Sequence, residues 1–158
     1  GELVEANQAF RNGDGSFEPA PHWGLASTDG GRGMAQADVD GDGDLDIITN
    51  EFHDGPMVLR SNLSEQRGES LRWVGVKLVG SKSNRDGLGA KVTVSAGGKT
   101  NSQINDGVSG YLSHSVTPLY FGLGEAEKVE KIEIVWPGGA SQLVENVEVG
   151  KVHVVTEP

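Results

Sequence analysis

Apolar and polar positions alternate along most of this chain, and the alternation predicts strands. Leu88 to Ala96 places Ala90, Val92, Val94 and Ala96 on one face and Lys91, Thr93 and Ser95 on the other. Val129 to Trp136 turns Ile132, Ile134 and Trp136 inward and Lys131 and Glu133 outward. Leu71 to Gly80 reads the same way through Val74, Val76 and Leu78, and Leu143 to Val155 repeats the pattern around a Gly150-Lys151 turn. Period-two alternation is the mark of half-buried strands. The breakers Asp86-Gly87, Gly97-Gly98, Asp106-Gly107 and Pro137-Gly138-Gly139 fall where turns belong. Helical periodicity is confined to a short turn at Gly124 to Lys128. The expectation is an all-β chain whose second part forms a sandwich or barrel.

The first seventy residues are looser. Asn12 to Phe17 reads as a turn entering a short strand. Gly33 to Ala37 and Leu45 to Glu51 read as strands flanking an Asp-rich loop, Met57 to Arg60 as another, and Asn62 to Ser70 as a polar linker. Charge divides the chain at the same place. Residues 1–70 carry 14 acids and 4 bases, and residues 71–158 carry 9 of each, so the net −10 of the whole chain belongs to the first part. The expected domains are therefore 1–70 and 71–158. An acidic chain lacks the basic face that nucleic acid requires. No apolar run is long enough to span a membrane as a helix. The absence of Cys removes disulfides, thiolate zinc sites and cysteine nucleophiles. The opening Gly1, in place of Met, predicts a processed or trimmed product.

Five carboxylates crowd one nine-residue window: Asp38, Asp40, Asp42, Asp44 and Asp46. Like charges this close repel by about 4 kcal/mol per pair at an effective dielectric near 20. Gly41 and Gly43 let the backbone curl. Oxygens converging on one centre suit Ca²⁺, which takes about six to eight oxygen ligands. An oxygen-only donor set disfavours zinc and copper. An EF-hand would need Glu at the twelfth loop position, where this chain has Thr49. Asp38-Val39-Asp40-Gly41 also matches the start of the haloacid-dehalogenase phosphatase motif, but no helical α/β pattern follows. A solvated acidic turn, without metal, is the plain alternative.

The chain also resembles a known pairing of families. Phe10 to Phe17, Trp23-Gly24-Leu25 and Ala37 to Asn50 resemble an FG-GAP/VCBS-type repeat, the calcium-loop blade unit of integrin-like propellers. Asn84 to Val92, Gly110 to Ser113, Leu119 to Gly124 and Trp136 to Gly139 resemble the ASPIC/UnbV domain that follows such repeats in cartilage-acidic-protein-like chains. The resemblance implies a propeller-blade-like unit packed with a β-sandwich or barrel-like ASPIC/UnbV domain. It implies side-chain ligands from Asp38, Asp40, Asp42 and Asp46, a backbone carbonyl ligand from Asp44, and an Asp44 side chain turned to solvent. The chain carries about one repeat and no Cys-rich module, which points to a bacterial type.

The expected function is a calcium-stabilised structural or adhesion module, secreted or at the cell surface. A single blade cannot bury its own faces, so it must pack on the second domain or on another copy of the chain. Self-assembly into a homo-oligomer, filament or surface layer follows, with protein partners or itself as the binding partner. One alternative is a calcium-dependent carbohydrate-binding module that uses exposed aromatics on a glycan. Another is a metal-dependent hydrolase. No catalytic constellation is found: His22, His53, His114 and His153 are scattered, and His114 points to the strand face opposite its neighbours Ser113 and Ser115. Trp23, Trp73 and Trp136 read as core or inter-domain anchors. Asp14 is a weak second cation candidate, and Asn62-Leu63-Ser64 is a glycosylation sequon.

Overall fold

Strands carry the chain almost throughout in the computed structural model, which describes residues 6–13, 15–28, 30–51, 54–68, 71–107, 110–115 and 118–158. Asp14 and His53 lie outside the described residues. Two units partition the chain. The first comprises Gly1–Val39, Leu45–Ser61 and Ser109–Ser115. The second comprises Asp40–Asp44, Asn62–Val108 and Val116–Pro158.

The first unit begins with a short antiparallel hairpin, β1 (Phe10–Asn12) and β2 (Phe17–Pro19), followed by a 3-10 turn at Pro21–Trp23. Its main sheet is antiparallel, with β4 (Asp46–Glu51) between β3 (Gly31–Ala37) and β5 (Met57–Leu59). β3 is an edge strand, and an unpaired edge exposes a row of backbone donors. Two of them are covered from a distant part of the chain: Met34 N–H donates to Ser113 Oγ at 3.0 Å and Gln36 N–H to Ser115 Oγ at 2.9 Å. The i, i+2 spacing of the two serines matches the i, i+2 spacing of the two donors.

The second unit is a sandwich of two open sheets. One is four-stranded, in the order β11 (Ser141–Val144), β10 (Lys131–Val135), β7 (Lys91–Ala96), β8 (Lys99–Ile104). The other is three-stranded, β12 (Val152–Thr156), β6 (Trp73–Val79), β9 (Leu119–Gly122). The alternation predicted from sequence becomes the core: Val74, Val76, Val92, Ile132, Ile134 and Trp136 are all at most 1% exposed. Each such aliphatic contributes about 1.5–3 kcal/mol by leaving water. The all-β, sandwich-like architecture expected from the alternation is thus observed.

Two local expectations are corrected and one further strand is found. Leu143 to Val155 is not one hairpin, because β11 and β12 belong to different sheets and β12 pairs parallel with β6. The polar stretch after Asn62 contains a short helix, α1 (Leu63–Arg67). Lys99–Ile104, almost wholly polar, is a strand held along β7.

The chain end is fastened by a single carboxylate. Glu157 Oε2 accepts the backbone N–H groups of Ser81, Lys82 and Ser83 at 3.0, 2.8 and 2.9 Å, and the Ser83 hydroxyl at 3.1 Å. The Ser83 and Lys82 amides, aided by Ser81, hold the Glu157 carboxyl at about 2, against an ordinary value of 4.5.

Candidate metal centre

The Asp-rich loop joins β3 to β4, and two glycines shape it. Gly41 has φ +78° and Gly43 has φ +93°, a region that L side chains rarely adopt. Gly43 is also sterically committed: a Cβ there would lie 2.8 Å from the Trp73 indole Nε1. Glycine at this position answers both demands.

The loop closes on Asp46, which is 1% exposed. Its Oδ2 accepts Val39 N–H at 2.9 Å, and its Oδ1 accepts Ser61 N–H at 2.8 Å. Both oxygens of a buried anion are therefore satisfied by backbone donors, which ties the start of the loop to its end and to the residue after β5's exit. Asp42 Oδ1 accepts the N–H of Asp44 at 3.1 Å.

Asp44 contradicts the solvent-facing role that the family resemblance implies for it, being only 5% exposed. Its Oδ2 accepts Ser64 N–H at 2.7 Å. The Ser64 hydroxyl donates to Asp42 Oδ2 at 2.5 Å. Helix α1 is thus oriented by two loop aspartates, an arrangement unreadable from a segment that looks like a linker. Asp44 Oδ1 is buried and has no hydrogen-bond partner. Unpaired buried polar atoms are uncommon, and anionic ones are costly.

Among the described residues, two groups of carboxylates could hold a metal ion, with ligand atoms within 4.8 Å of one another. Alternate loop residues supply one: Asp38, Asp40 and Asp42. Asp42, Asp44 and Glu65 of α1 make the other. Four of the five sequence-predicted ligands fall into these groups; Asp46 lies in neither, and its oxygens accept backbone N–H groups. Glu65 was not singled out from sequence, since nothing in its neighbourhood signals a helix. The donor set is hard oxygen throughout, and the orphaned Asp44 oxygen gives a cation something to satisfy; the residues fit Ca²⁺.

The hydroxyls beside His114, of Ser113 and Ser115, accept the backbone N–H groups of Met34 and Gln36 on β3. Trp136 is a core residue whose Nε1 donates to Gln142 Oε1 at 2.9 Å, whereas Trp23 is 49% exposed. No helix among the described residues is long and apolar enough to cross a membrane.

Comparison with known proteins finds two families along the chain. Residues 80–158 match the family described as ASPIC and UnbV, and residues 5–49 match the FG-GAP-like repeat. Cartilage acidic protein 1 of Xenopus tropicalis is 33% identical over 141 residues, covering 85% of this chain and 21% of that protein. The Homo sapiens protein of the same name is 32% identical over 162 residues, covering 96% of this chain and 23% of its own. The chain therefore spans under a quarter of the length of these relatives.

Proposed function

Because the chain belongs to the ASPIC and UnbV family, we propose that it is a calcium-stabilised structural or adhesion module that works outside the cell. The observation that carries this reading is the loop between β3 and β4, where the carboxylates of Asp38, Asp40 and Asp42 converge. Calcium held by Asp38, Asp40 and Asp42 offsets their mutual repulsion and rigidifies the loop. Millimolar calcium, the extracellular regime, suits a site of moderate affinity. The extracellular setting is supported by the FG-GAP-like match and by the cartilage acidic proteins it resembles.

The protein is not an enzyme in this reading. Hydrolysis by paired carboxylates needs two groups in contrasting environments beside a substrate cleft. In this reading the loop carboxylates serve as cation ligands and backbone acceptors, not as an acid–base pair. An adhesive or self-assembling role is favoured by apolar side chains that stand exposed in the first unit: Phe17 at 73%, Tyr111 at 71% and Leu112 at 88%.

Thermal melting with calcium and with excess chelator tests the calcium role. A ligand at one hundred times its Kd adds about 2.7 kcal/mol. For a chain of this size that is a rise of roughly 5–10 °C. The rise is expected in the native protein and is smaller in Asp40→Ala. Equal melting temperatures in calcium and chelator, together with no bound calcium by elemental analysis, would refute the reading.

A further inference from the structure

We propose that Asp42, Asp44 and Glu65 hold a divalent cation of their own, beside the one assigned to Asp38, Asp40 and Asp42. The inference rests on the calcium reading of the loop and extends it to a two-ion centre in which Asp42 is the bridge. All three carboxylates belong to the second unit. Each offers an oxygen within 4.8 Å of the others.

The independent observation is Asp44. Its carboxylate is 95% removed from solvent, being 5% exposed, and Oδ1 has no hydrogen-bond partner. Oδ2, by contrast, is satisfied by Ser64 N–H. The chain therefore buries a carboxylate, orients it with one donor and leaves its second oxygen without one. An anionic oxygen in that state is disfavoured unless a cation faces it. The neighbours that share its cluster, Asp42 and Glu65, add two more carboxylates.

Glu65 supplies the missing side of the centre. Ser64, the residue before it, donates from its N–H to Asp44 and from its hydroxyl to Asp42 and, at 3.2 Å, to Glu65 Oε2. One residue thus positions all three carboxylates. Asp42 can serve two ions, since a carboxylate offers about four lone-pair sites on its two oxygens. Three carboxylates in an irregular, partly solvated arrangement suit Ca²⁺ better than Mg²⁺, which demands a strict octahedron and keeps its waters.

Native mass spectrometry of the full chain in calcium counts the ions directly, and calorimetric titration gives their affinities. The native protein is expected to carry two. Glu65→Gln, at an exposed position, is expected to lose one, as is Asp44→Asn, while Asp40→Ala keeps the ion held by Asp42, Asp44 and Glu65. Melting of each variant in chelator checks that it is folded. A Glu65→Gln protein that retains every ion at native affinity overturns the second centre and leaves the loop reading standing. A native protein that binds no calcium overturns both.

Discussion

The Trp73 indole lies against Gly43, so close that a methyl group on that glycine would sit 2.8 Å from Nε1. Trp73 also packs on Tyr120, with ring centroids 5.3 Å apart. Gly43, itself in the second unit, therefore lies against one member of an aromatic pair of that unit.

Gly43→Ala faces both the indole and a φ of +93°, whereas Gly41→Ala faces a φ of +78° with open space around it. Left-handed backbone costs an L residue about 1–2 kcal/mol. Gly41→Ala should cost that amount in a chemical-denaturation experiment, and Gly43→Ala should cost more. Equal losses would mean that the indole yields without resistance.

The same contact provides a spectroscopic reporter. Tb³⁺ bound in the loop should emit when Trp73 is excited, and added Ca²⁺ should quench that emission by displacement. Trp73→Phe should abolish the emission while calcium still binds. Emission that survives in Trp73→Phe would assign the sensitiser elsewhere.

Asp46 and Asp40 should separate structure from ligation. Asp46 is buried and accepts Val39 N–H and Ser61 N–H. Hydrogen bonds to a charged group contribute about 1.5–3 kcal/mol each. Asp46→Ala should therefore destabilise the protein by roughly 3 kcal/mol even in chelator, in line with other lost buried charge networks. Asp40→Ala should be near neutral in chelator and costly only in calcium. Denaturation curves in the two buffers decide between these patterns.

Glu157 sets an acid limit. Its folded value near 2 lies below the unfolded 4.5, so its stabilising effect is present in full above about pH 4.5 and fades as the pH falls toward 2. Glu157→Gln should lower the melting temperature at pH 6 and flatten its slope between pH 4.5 and 2. Measurement in chelator keeps the loop carboxylates from adding a metal-linked slope. A variant whose acid profile matches the native one would deny Glu157 this role.

The sandwich was legible because β7 and β10 bury every second residue, so alternation in sequence and burial in space coincide. β8 was not, since Lys99–Ile104 lies at a sheet edge and faces solvent with most of its side chains; its strand character comes from β7, through contacts such as Thr93 Oγ1 to Ser102 Oγ at 2.9 Å. Helix α1 was hidden for a related reason: its five residues are oriented by Asp42 and Asp44 from outside the segment. Asp38, Asp40 and Asp42 were readable as potential ligands from spacing alone. The burial of Asp44 and the recruitment of Glu65 depend on long-range placement, which local pattern does not encode.

The serine hydroxyls on β3 bear on how the protein is made. Met34 and Ser113, like Gln36 and Ser115, are 79 residues apart in sequence. The first unit is consequently discontinuous, and its edge strand waits for a partner synthesised long after it. Contacts of such high sequence separation slow folding, because loop closure precedes their reward. Until residue 115 emerges, β3 presents open donors, and an open strand edge is where nascent chains pair with one another. The order of synthesis thus leaves this unit exposed for longest at the edge that the finished molecule takes care to close.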